Sequence, residues 1–463
     1  MGLDIPQKEK KKRVKKLTLL ENIEFADVQD HRKGWLLIVG NFILCRGTGE
    51  PDHATLASIA EGQPIERHDG RGRLALPGAI DVHVHFRDPG LTHKGDFATE
   101  SRAAIAGGVT SVVDMPNTVP QTTSAEDLAA KNEIAAAKSV ANYGFFIGAT
   151  ADNIDRLADI DPATIAGVKL FMGSSTGGML VSDPTALERL FAVVRLPISI
   201  HAEDEAVIAR CRAEATERYG DEVPVAAHTD IRPVEACVAA TRRAIDLAER
   251  HHAHAHIAHL TTGDEVDMIV AARRRGVNVT CEVSPHHLLW CSADYAAKGS
   301  RIKMNPSVKS AADRDRLRQA VTAGDIDIIA TDHAPHLWAE KQGTALTAAS
   351  GAPMVQFSLP AMLDLFGAAT VCRMMCEAPA RLFGIDRRGS LAPGNYADIV
   401  LIDRAAPRTI TDADVISRCG WTPMDGVTMR HRVAETWVNG QLVYSDGTFA
   451  DHSAAMPLRF NHQ

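Results

Sequence analysis

Two histidines with one residue between them are the strongest sign of chemistry in this sequence. His83 and His85 follow Asp81 in a short apolar run, GAIDVHV. Side chains two positions apart on a strand point to the same side, so both imidazoles can bind one metal ion. An isolated His-x-His pair is a moderate signal, and its place at the end of an apolar strand strengthens it.

Four other apolar runs contain or end in a polar side chain of metal-binding type. These side chains are Lys169 in GVKLF, His201 after PISI, His259 after AHIA and Asp332 after DIDIIAT. In a β/α barrel, polar residues at the carboxyl ends of the strands face the active site. A lysine or an aspartate buried without a partner is costly, so packing alone explains this pattern poorly. We therefore predict one shared site.

The side chains of this site predict a pair of divalent metal ions, for which zinc is the best match to imidazole and carboxylate. The predicted ligands are His83, His85, Lys169, His201, His259 and Asp332. A protonated ammonium is not a ligand, but burial and nearby cations lower the pKa of a lysine. The neutral amine could then take up CO2, and the resulting carbamate could bridge both metals. Electron density beyond the Lys169 nitrogen would test this hypothesis.

The elements that must position these side chains alternate along the chain. Short apolar runs alternate with Ala-rich helical stretches, which is typical of a parallel sheet covered on both faces. One helix is predicted to begin at Ser124, with Asp127 completing a capping box, and another follows Pro233. The apolar runs are GAIDVHV, VTSVVDM, NYGFFIG, GVKLFM, PISIH, AHIAHL, VNVTCEV and DIDIIAT. They predict an α/β fold, a (β/α)8 TIM barrel over residues 78–388.

Both ends of the chain have the texture of strands and turns. Residues 17–77 and 389–463 contain short apolar runs, and Asn439-Gly440 between two of them is a strong hairpin signal. We predict that the two ends combine into one composite β-sandwich domain beside the barrel. The basic run before them predicts that residues 1–16 form a disordered tail.

Composition excludes several classes of function. The chain has 463 residues, of which 45% are hydrophobic, and a net charge of −8, which argues against nucleic-acid binding. Its eight cysteines form no CxxC pair, so a reduced, cytoplasmic setting is expected. The basic N-terminal run is not followed by the apolar stretch of a signal peptide. No apolar run approaches the roughly 18 residues of a transmembrane helix, so no membrane association is expected.

Taken together, the motifs resemble those of the amidohydrolase superfamily and, within it, the dihydroorotases. The resemblance runs from about residue 35 to residue 450. It rests on HVHFRDPG, DMPNT, VKLFMGSSTG, ISIHAED, IAHLTT, SPHHL, KMNPSV and TDHAPH. It implies a distorted β/α barrel with a composite β-sandwich and a binuclear zinc centre bridged by a carboxylated lysine. Some dihydroorotases have an aspartate at the bridging position, so Lys169 places this chain with the lysine type.

The resemblance also points to substrate-binding residues. Dihydroorotate carries a ring carboxylate, and Arg87, two residues after His85, could hold it bidentately. Arg87 and Asn117 match the family's substrate residues, and Asn305 and His336 match further substrate contacts. The segment after Lys169, with Ser174, Ser175 and Thr176 as donors, could form a loop over the substrate, although Gly-Ser-Thr clusters are usually simple turns.

The expected reaction is the reversible cyclisation of N-carbamoyl-L-aspartate to L-dihydroorotate and water, a step of pyrimidine (UMP) biosynthesis. Two metals would supply hydroxide at neutral pH by lowering the pKa of bound water. Asp332 is the predicted catalytic base, which accepts the proton of the nucleophile and passes it to the departing amide nitrogen.

Two alternatives stay open. Allantoinases and dihydropyrimidinases resemble this chain in fold and metal site, but their substrates lack the ring carboxylate that Arg87 would hold. Some dihydroorotase-like chains have instead lost their ligands and serve as inactive scaffolds for aspartate transcarbamoylase. A homodimer or higher homo-oligomer is expected, and association with aspartate transcarbamoylase is a further option.

Several histidines receive no role from the sequence. The tract HHAHAHIAH resembles a metal-binding tag, but only His259 directly follows the strand. His251, His252 and His254 are expected to be exposed. His256, His286 and His287 are left unassigned.

Overall fold

The computed structural model describes residues 16–26, 32–173, 179–404 and 407–462. The basic tail, except its last residue, and the predicted Ser174, Ser175 and Thr176 donors lie outside the described residues.

The N-terminal part of the chain forms four strands and one helix. They are β1 (Leu17–Phe25), β2 (Lys33–Val39), β3 (Phe42–Thr48), α1 (His53–Ala60) and β4 (Ile65–Pro77). Strand β1 pairs antiparallel with β2 and parallel with β4. The predicted runs WLLIVG and RLALPG thus form strands of one sheet.

The eight predicted apolar runs form the eight strands of a parallel barrel. They are β5 (Ala79–Val84), β6 (Val109–Asp114), β7 (Asn142–Gly148), β8 (Gly167–Phe171), β9 (Ile198–His201), β10 (Ala255–Ile257), β11 (Val279–Val283) and β12 (Ile328–Ile329). Each strand pairs with the next along the chain. Closure between the first and last strands is irregular: the Val84–His333 bridge joins them, and His85 N donates to His333 O at 2.8 Å.

Helices connect and follow the barrel strands. They are α2 (Phe97–Ala106), α3 (Ala125–Lys138), α4 (Pro184–Val193), α5 (Glu205–Tyr219), α6 (His228–Ile231), α7 (Val234–His251), α8 (Gly263–Arg274), α9 (Pro285–Leu289), α10 (Tyr295–Lys298), α11 (Ala311–Ala323), α12 (Ser358–Phe366), α13 (Ala368–Cys372) and α14 (Ala378–Leu382). Helix α3 begins after Ser124, and the capping box with Asp127 forms as predicted. The predicted helix after Pro233 is α7, whose apolar side is buried in the main core.

The C-terminal part completes the first sheet. Its strands are β13 (Ile399–Asp403), β14 (Arg408–Thr409), β15 (Thr428–Met429), β16 (Arg432–Val438), β17 (Gln441–Ser445) and β18 (Thr448–Phe449). Four of them join β1–β4 in an eight-stranded sheet with the order β18-β17-β16-β13-β4-β1-β2-β3, while β14 and β15 pair separately. The hairpin at Asn439-Gly440 forms, with φ of 49° and 77° at the two positions.

The fold class predicted from the sequence is therefore confirmed: a β/α barrel stands beside a separate sheet built from both chain ends. The final residues also contact the barrel, since Leu458 N donates to Tyr143 O at 2.7 Å. The predicted division of the chain at residues 77 and 389 stays a prediction. Within the described residues, no helix has both the length and the apolar character needed to cross a membrane.

Candidate active site

The carboxyl ends of the barrel strands bring the predicted metal-binding side chains into one cavity. His83 lies near the end of β5, Lys169 in β8 and His201 at the end of β9, while His259 and Asp332 closely follow β10 and β12. The cavity is lined by His83, His85, Arg87, Asn117, Lys169, Phe171, His201, His259, Asn305, Asp332, Ala334, Ser350 and Gly351. All six predicted ligands are in this set.

The ligand atoms of this group lie close together. One nitrogen or oxygen each from His83, His259 and Asp332 lies within 4.8 Å of the others. His85 Nε2 lies 3.0 Å from Asp332 Oδ1, and His201 Nδ1 lies 3.0 Å from His259 Nε2. Asp332 therefore contacts both histidines of the His-x-His pair, while the other two histidines face each other.

Lys169 is fully buried, and its Nζ has no hydrogen-bond partner among the described residues. Burial lowers the pKa of this amine to about 8, against the opposing effect of Glu282 and Asp332. The neutral amine is therefore a larger fraction of this side chain near neutral pH than it is in an ordinary lysine. That is the form that the carbamate hypothesis requires.

Burial also favours the neutral form of three imidazoles of the cavity, those of His85, His201 and His259. It lowers the pKa of His85 to about 4, although the Asp332 hydrogen bond opposes the shift. Burial lowers the pKa of His201 and, more strongly, that of His259. A neutral imidazole has one nitrogen lone pair available to a metal, whereas an imidazolium has none.

The donor set of the cavity fits divalent metal ions. His259 Nδ1 and Lys169 Nζ are buried polar atoms without hydrogen-bond partners among the described residues. Buried polar groups normally have a partner, so such atoms need an explanation. Neutral imidazoles and one carboxylate are ligands that zinc prefers. These residues could therefore hold a metal centre.

The backbone is strained at three predicted site residues. Arg87, His259 and Asp332 have φ of 68°, 38° and 48°, in the left-handed region that residues other than glycine rarely adopt. Such conformations persist only where the surrounding structure imposes them, and they cluster at functional sites. Each of these residues closely follows the end of a barrel strand, where the left-handed backbone changes the direction of the chain.

The predicted substrate residues surround the same cavity. Arg87 is buried and donates from Nε to Pro335 O at 3.1 Å. Its Nη2 lies 3.2 Å from His336 Nε2, and it forms no ion pair with a carboxylate among the described residues. The charge of Arg87 therefore lacks a counterion in contact with it.

The other three predicted substrate residues have defined contacts. Asn117 Oδ1 lies 2.7 Å from His85 Nδ1, and Asn305 Oδ1 lies 3.0 Å from His228 Nε2. His336 does not line the cavity itself but is buried beside Arg87. The structure thus brings Asn117 and Asn305 to the cavity wall and His336 behind it.

Sequence reasoning missed several residues here. Ser350 and Gly351 line the cavity without a sequence signal that separates them from ordinary loop residues, and Phe171 does so as one of the apolar residues of β8. Glu203, two residues after His201, and Glu282, the one acidic residue in the apolar run VNVTCEV, are buried. A charged residue in an apolar strand was the signal used for Lys169, and it would have found Glu282.

The histidine tract is only partly exposed. His252 is exposed as predicted, but His251 and His254 are half-buried, so that expectation was wrong for these two. His251 pairs with Glu188, and His254 contacts Thr280. The unassigned His256 is buried in contact with Glu282.

The sequence profile of the amidohydrolase family matches residues 74–443. The chain belongs to the amidohydrolase family. Among its relatives, a dihydroorotase from Methanosarcina mazei is 36% identical over 78% of this amidohydrolase and 81% of its own length. A dihydroorotase from Halobacterium salinarum is 37% identical over 76% and 82%. An allantoinase from Streptomyces avermitilis is 33% identical over 85% and 89%.

Solved structures support the fold of this amidohydrolase. L-hydantoinase from Arthrobacter aurescens superposes with a TM-score of 0.88 over 96% of this chain and 99% of its own, at 24% identity. Dihydropyrimidinase from Brevibacillus agri gives a TM-score of 0.86 over 96% and 100%, at 23% identity. The family, the fold and the cavity together make the protein a cyclic amidohydrolase.

Proposed function

We propose that this amidohydrolase is a dihydroorotase, which interconverts N-carbamoyl-L-aspartate and L-dihydroorotate plus water in pyrimidine synthesis. The observation that carries the proposal is the buried Arg87 guanidinium in the wall of the metal-binding cavity. A buried cation without a counterion is costly, so this position favours an anionic substrate. Both dihydroorotate and carbamoyl aspartate carry the carboxylate that would complete the pair.

Arg87 would hold this carboxylate through two parallel N–H donors, which fixes the orientation of the ring as well as binding it. Its Nε bond to Pro335 O and its contact with His336 fix the guanidinium plane. His336 is in turn in contact with Ser350 O at 3.1 Å. Because the guanidinium is held in place, the substrate carboxylate would lie at a fixed distance from the four predicted histidine ligands.

Metal ions bound by the six predicted ligands would supply a hydroxide nucleophile at neutral pH and polarise the ring carbonyl. Asp332 would move the proton. Burial alone would raise the pKa of Asp332, but His83, His85 and His259 together lower it well below its usual value. Its ionised carboxylate can therefore accept the proton of the nucleophile and deliver it to the ring nitrogen that leaves.

In the synthetic direction the ureido nitrogen of carbamoyl aspartate attacks the side-chain carboxylate. Asp332 would take the proton of that nitrogen and pass it to the departing oxygen, which leaves as water with a second proton from solution. Ring closure removes one carboxylate charge and consumes a proton, so lower pH favours the cyclic product.

The second candidate is another cyclic amidohydrolase, and the allantoinase relative is the observation that favours it. Turnover of L-dihydroorotate, allantoin and dihydrouracil should be measured on one preparation, together with its zinc content by mass spectrometry. We expect dihydroorotate to be the preferred substrate of a zinc-containing protein. Preference for allantoin or dihydrouracil would contradict the proposal, and a folded protein with near-zero metal would favour the scaffold alternative. Homo-oligomer formation and association with aspartate transcarbamoylase stay predictions.

A further inference from the structure

Strand β11 provides none of the predicted ligands, yet it places a charged side chain among them. Glu282 lies in this strand and is 1% exposed. Burying a carboxylate is costly unless hydrogen bonds compensate. The partners of Glu282 therefore indicate why this residue is present.

Both carboxylate oxygens of Glu282 contact imidazole nitrogens. Oε1 contacts Nδ1 of His83, and Oε2 lies 3.1 Å from Nε2 of His256. A carboxylate only accepts hydrogen bonds, so both nitrogens must donate. The proton of a neutral His83 is then on Nδ1, and the lone pair is on Nε2. That Nε2 atom lies 3.4 Å from Asp332 Oδ1, on the side of the other predicted ligands.

The hydrogen bonds beyond His256 have a consistent direction. In a neutral His256 that donates through Nε2, Nδ1 accepts, and Thr280 Oγ1 lies 2.9 Å away as the donor. The single hydroxyl proton of Thr280 is used there, so its oxygen must accept from His254 Nε2 at 2.8 Å. Three successive hydrogen bonds therefore connect half-buried His254, through Thr280 and His256, to the carboxylate of Glu282 that holds His83.

We propose that Glu282 is a positioning residue, which holds His83 in the tautomer and orientation that present Nε2 to a metal ion, and that His256 fixes Glu282 in this role. The inference rests on the proposed metal centre, and it gives a function to His254 and His256. Partners of this kind orient metal-binding histidines and increase their basicity, and their loss typically weakens metal binding about 10- to 100-fold.

The test is the zinc affinity of metal-depleted protein, measured by competition with a chromophoric chelator. We expect Glu282→Gln to weaken zinc binding about 10- to 100-fold, because an uncharged amide holds His83 less firmly. His256→Gln should weaken it less, since Glu282 keeps its contact with His83. Glu282→Asp should keep part of the zinc affinity that Glu282→Gln loses.

The matched control is Glu435→Gln. Glu435 is also buried and also contacts a histidine, His68 at 2.8 Å, but it lies in β16, a strand of the composite sheet outside the barrel. Its replacement should leave zinc affinity unchanged. Equal losses in Glu282→Gln and Glu435→Gln would show a general effect on folding and would overturn the inference.

A second measurement does not depend on a folded variant. Nitrogen-15 NMR of metal-depleted wild-type protein labelled at histidine should show His83 and His256 protonated on Nδ1 and Nε2, respectively. His83 protonated on Nε2 would overturn the inference. Wild-type protein that binds no zinc would overturn the metal centre together with the positioning role, whereas unchanged affinity in Glu282→Gln would overturn the positioning role alone.

Discussion

Arg87 lies in the wall of the cavity and His336 lies directly behind it, with Nη2 of the arginine 3.2 Å from Nε2 of the histidine. Burial lowers the pKa of His336 well below its usual value, and the charges of Arg87 and Lys94 lower it further. A neutral imidazole can lie against a guanidinium without repelling it. The arrangement leaves the positive charge of Arg87 available to a substrate carboxylate.

The first prediction concerns Arg87→Lys, which keeps the charge but loses the two parallel donors. A hydrogen bond to a charged group is worth about 1.5–3 kcal/mol, so kcat/KM for carbamoyl aspartate should fall about 10- to 150-fold. Turnover of dihydrouracil, which lacks the carboxylate, should change little. Arg404→Lys, at an exposed pair with Glu24, is the control. Equal losses on both substrates would contradict a carboxylate-binding role.

Replacing Asp332 by asparagine should remove the base while keeping the shape of the side chain. General base catalysis contributes about 10²- to 10⁴-fold, and kcat should fall by that factor in steady-state assays. Asp364→Asn is the control, because Asp364 also contacts a histidine, His431 at 2.6 Å, away from the cavity. Near-normal turnover by Asp332→Asn would refute the assigned role.

The carbamate hypothesis predicts different metal contents for two variants of Lys169. Lys169→Glu supplies a shorter carboxylate, whereas Lys169→Arg supplies a cation that cannot bind a metal. Zinc content by mass spectrometry should therefore be higher in Lys169→Glu. Wild-type protein loaded with zinc and carbon-13 bicarbonate should also show a carbamate signal in carbon-13 NMR that is absent from Lys169→Arg. The reverse order of zinc contents would count against the carbamate.

Lys341 should determine the position of the segment that carries Ser350 and Gly351. Its buried Nζ donates to the carbonyl oxygens of Lys303, Ala349 and Gly351 at 2.9, 2.7 and 2.8 Å. Lys341→Met removes the donor to the Ala349 and Gly351 oxygens, whereas Lys303 O still accepts from Gly351 N at 2.9 Å. Each buried unsatisfied group costs about 1–3 kcal/mol. We expect a lower free energy of unfolding in urea and a raised KM.

The control for Lys341 is Lys298→Met. Lys298 also donates to carbonyl oxygens, those of Pro423 and Asp425 at 3.1 and 2.6 Å, but these residues do not line the cavity. This variant should lose stability while keeping KM. An unchanged KM in Lys341→Met would show that the segment keeps its position without the lysine.

Glu265 gives a prediction of pH dependence away from the cavity. Burial raises its pKa, although Thr241 and Thr262 donate to its oxygens at 2.8 and 2.9 Å. A raised pKa in the folded state means that ionisation destabilises the fold. Below the pKa of a glutamate in the unfolded chain, about 4.3, Glu265 is protonated in both states and the free energy of unfolding is not reduced. This free energy falls as pH rises from that value through the folded pKa.

Glu265→Gln should therefore gain stability relative to wild type as pH rises from 4.5 to 8, which thermal unfolding at several pH values would show. Glu126→Gln, an exposed residue in the first turn of α3, is the control and should give a difference that does not grow in this way. A Glu265→Gln difference that shrinks toward pH 8 would contradict the assigned direction.

The sequence by itself determined the barrel and the identity of the histidine, aspartate and lysine group. Strands buried on both faces are nearly continuous apolar runs, so His83, Lys169, His201 and Asp332 stand out in them or at their ends. The carboxyl ends of such strands must meet at one end of a barrel, so the shared cavity followed without coordinates. Ser124 and Asn439-Gly440 were equally local signals, because a helix cap and a tight turn depend on adjacent residues only.

Only the tertiary structure decided how the side chains face one another. Contact between Glu282 and His83 joins residues almost 200 positions apart across the barrel, and no local pattern encodes such a pairing. The burial of His256 and the partial burial of His254 depended on how β10 packs beside β11, so the tag-like tract is only partly exposed. Among the described residues Arg87 has no carboxylate in contact with it, and this too depends on all the residues that pack around it. Spacing along a chain fixes which residues share a strand, whereas distances between strands arise only when the barrel closes.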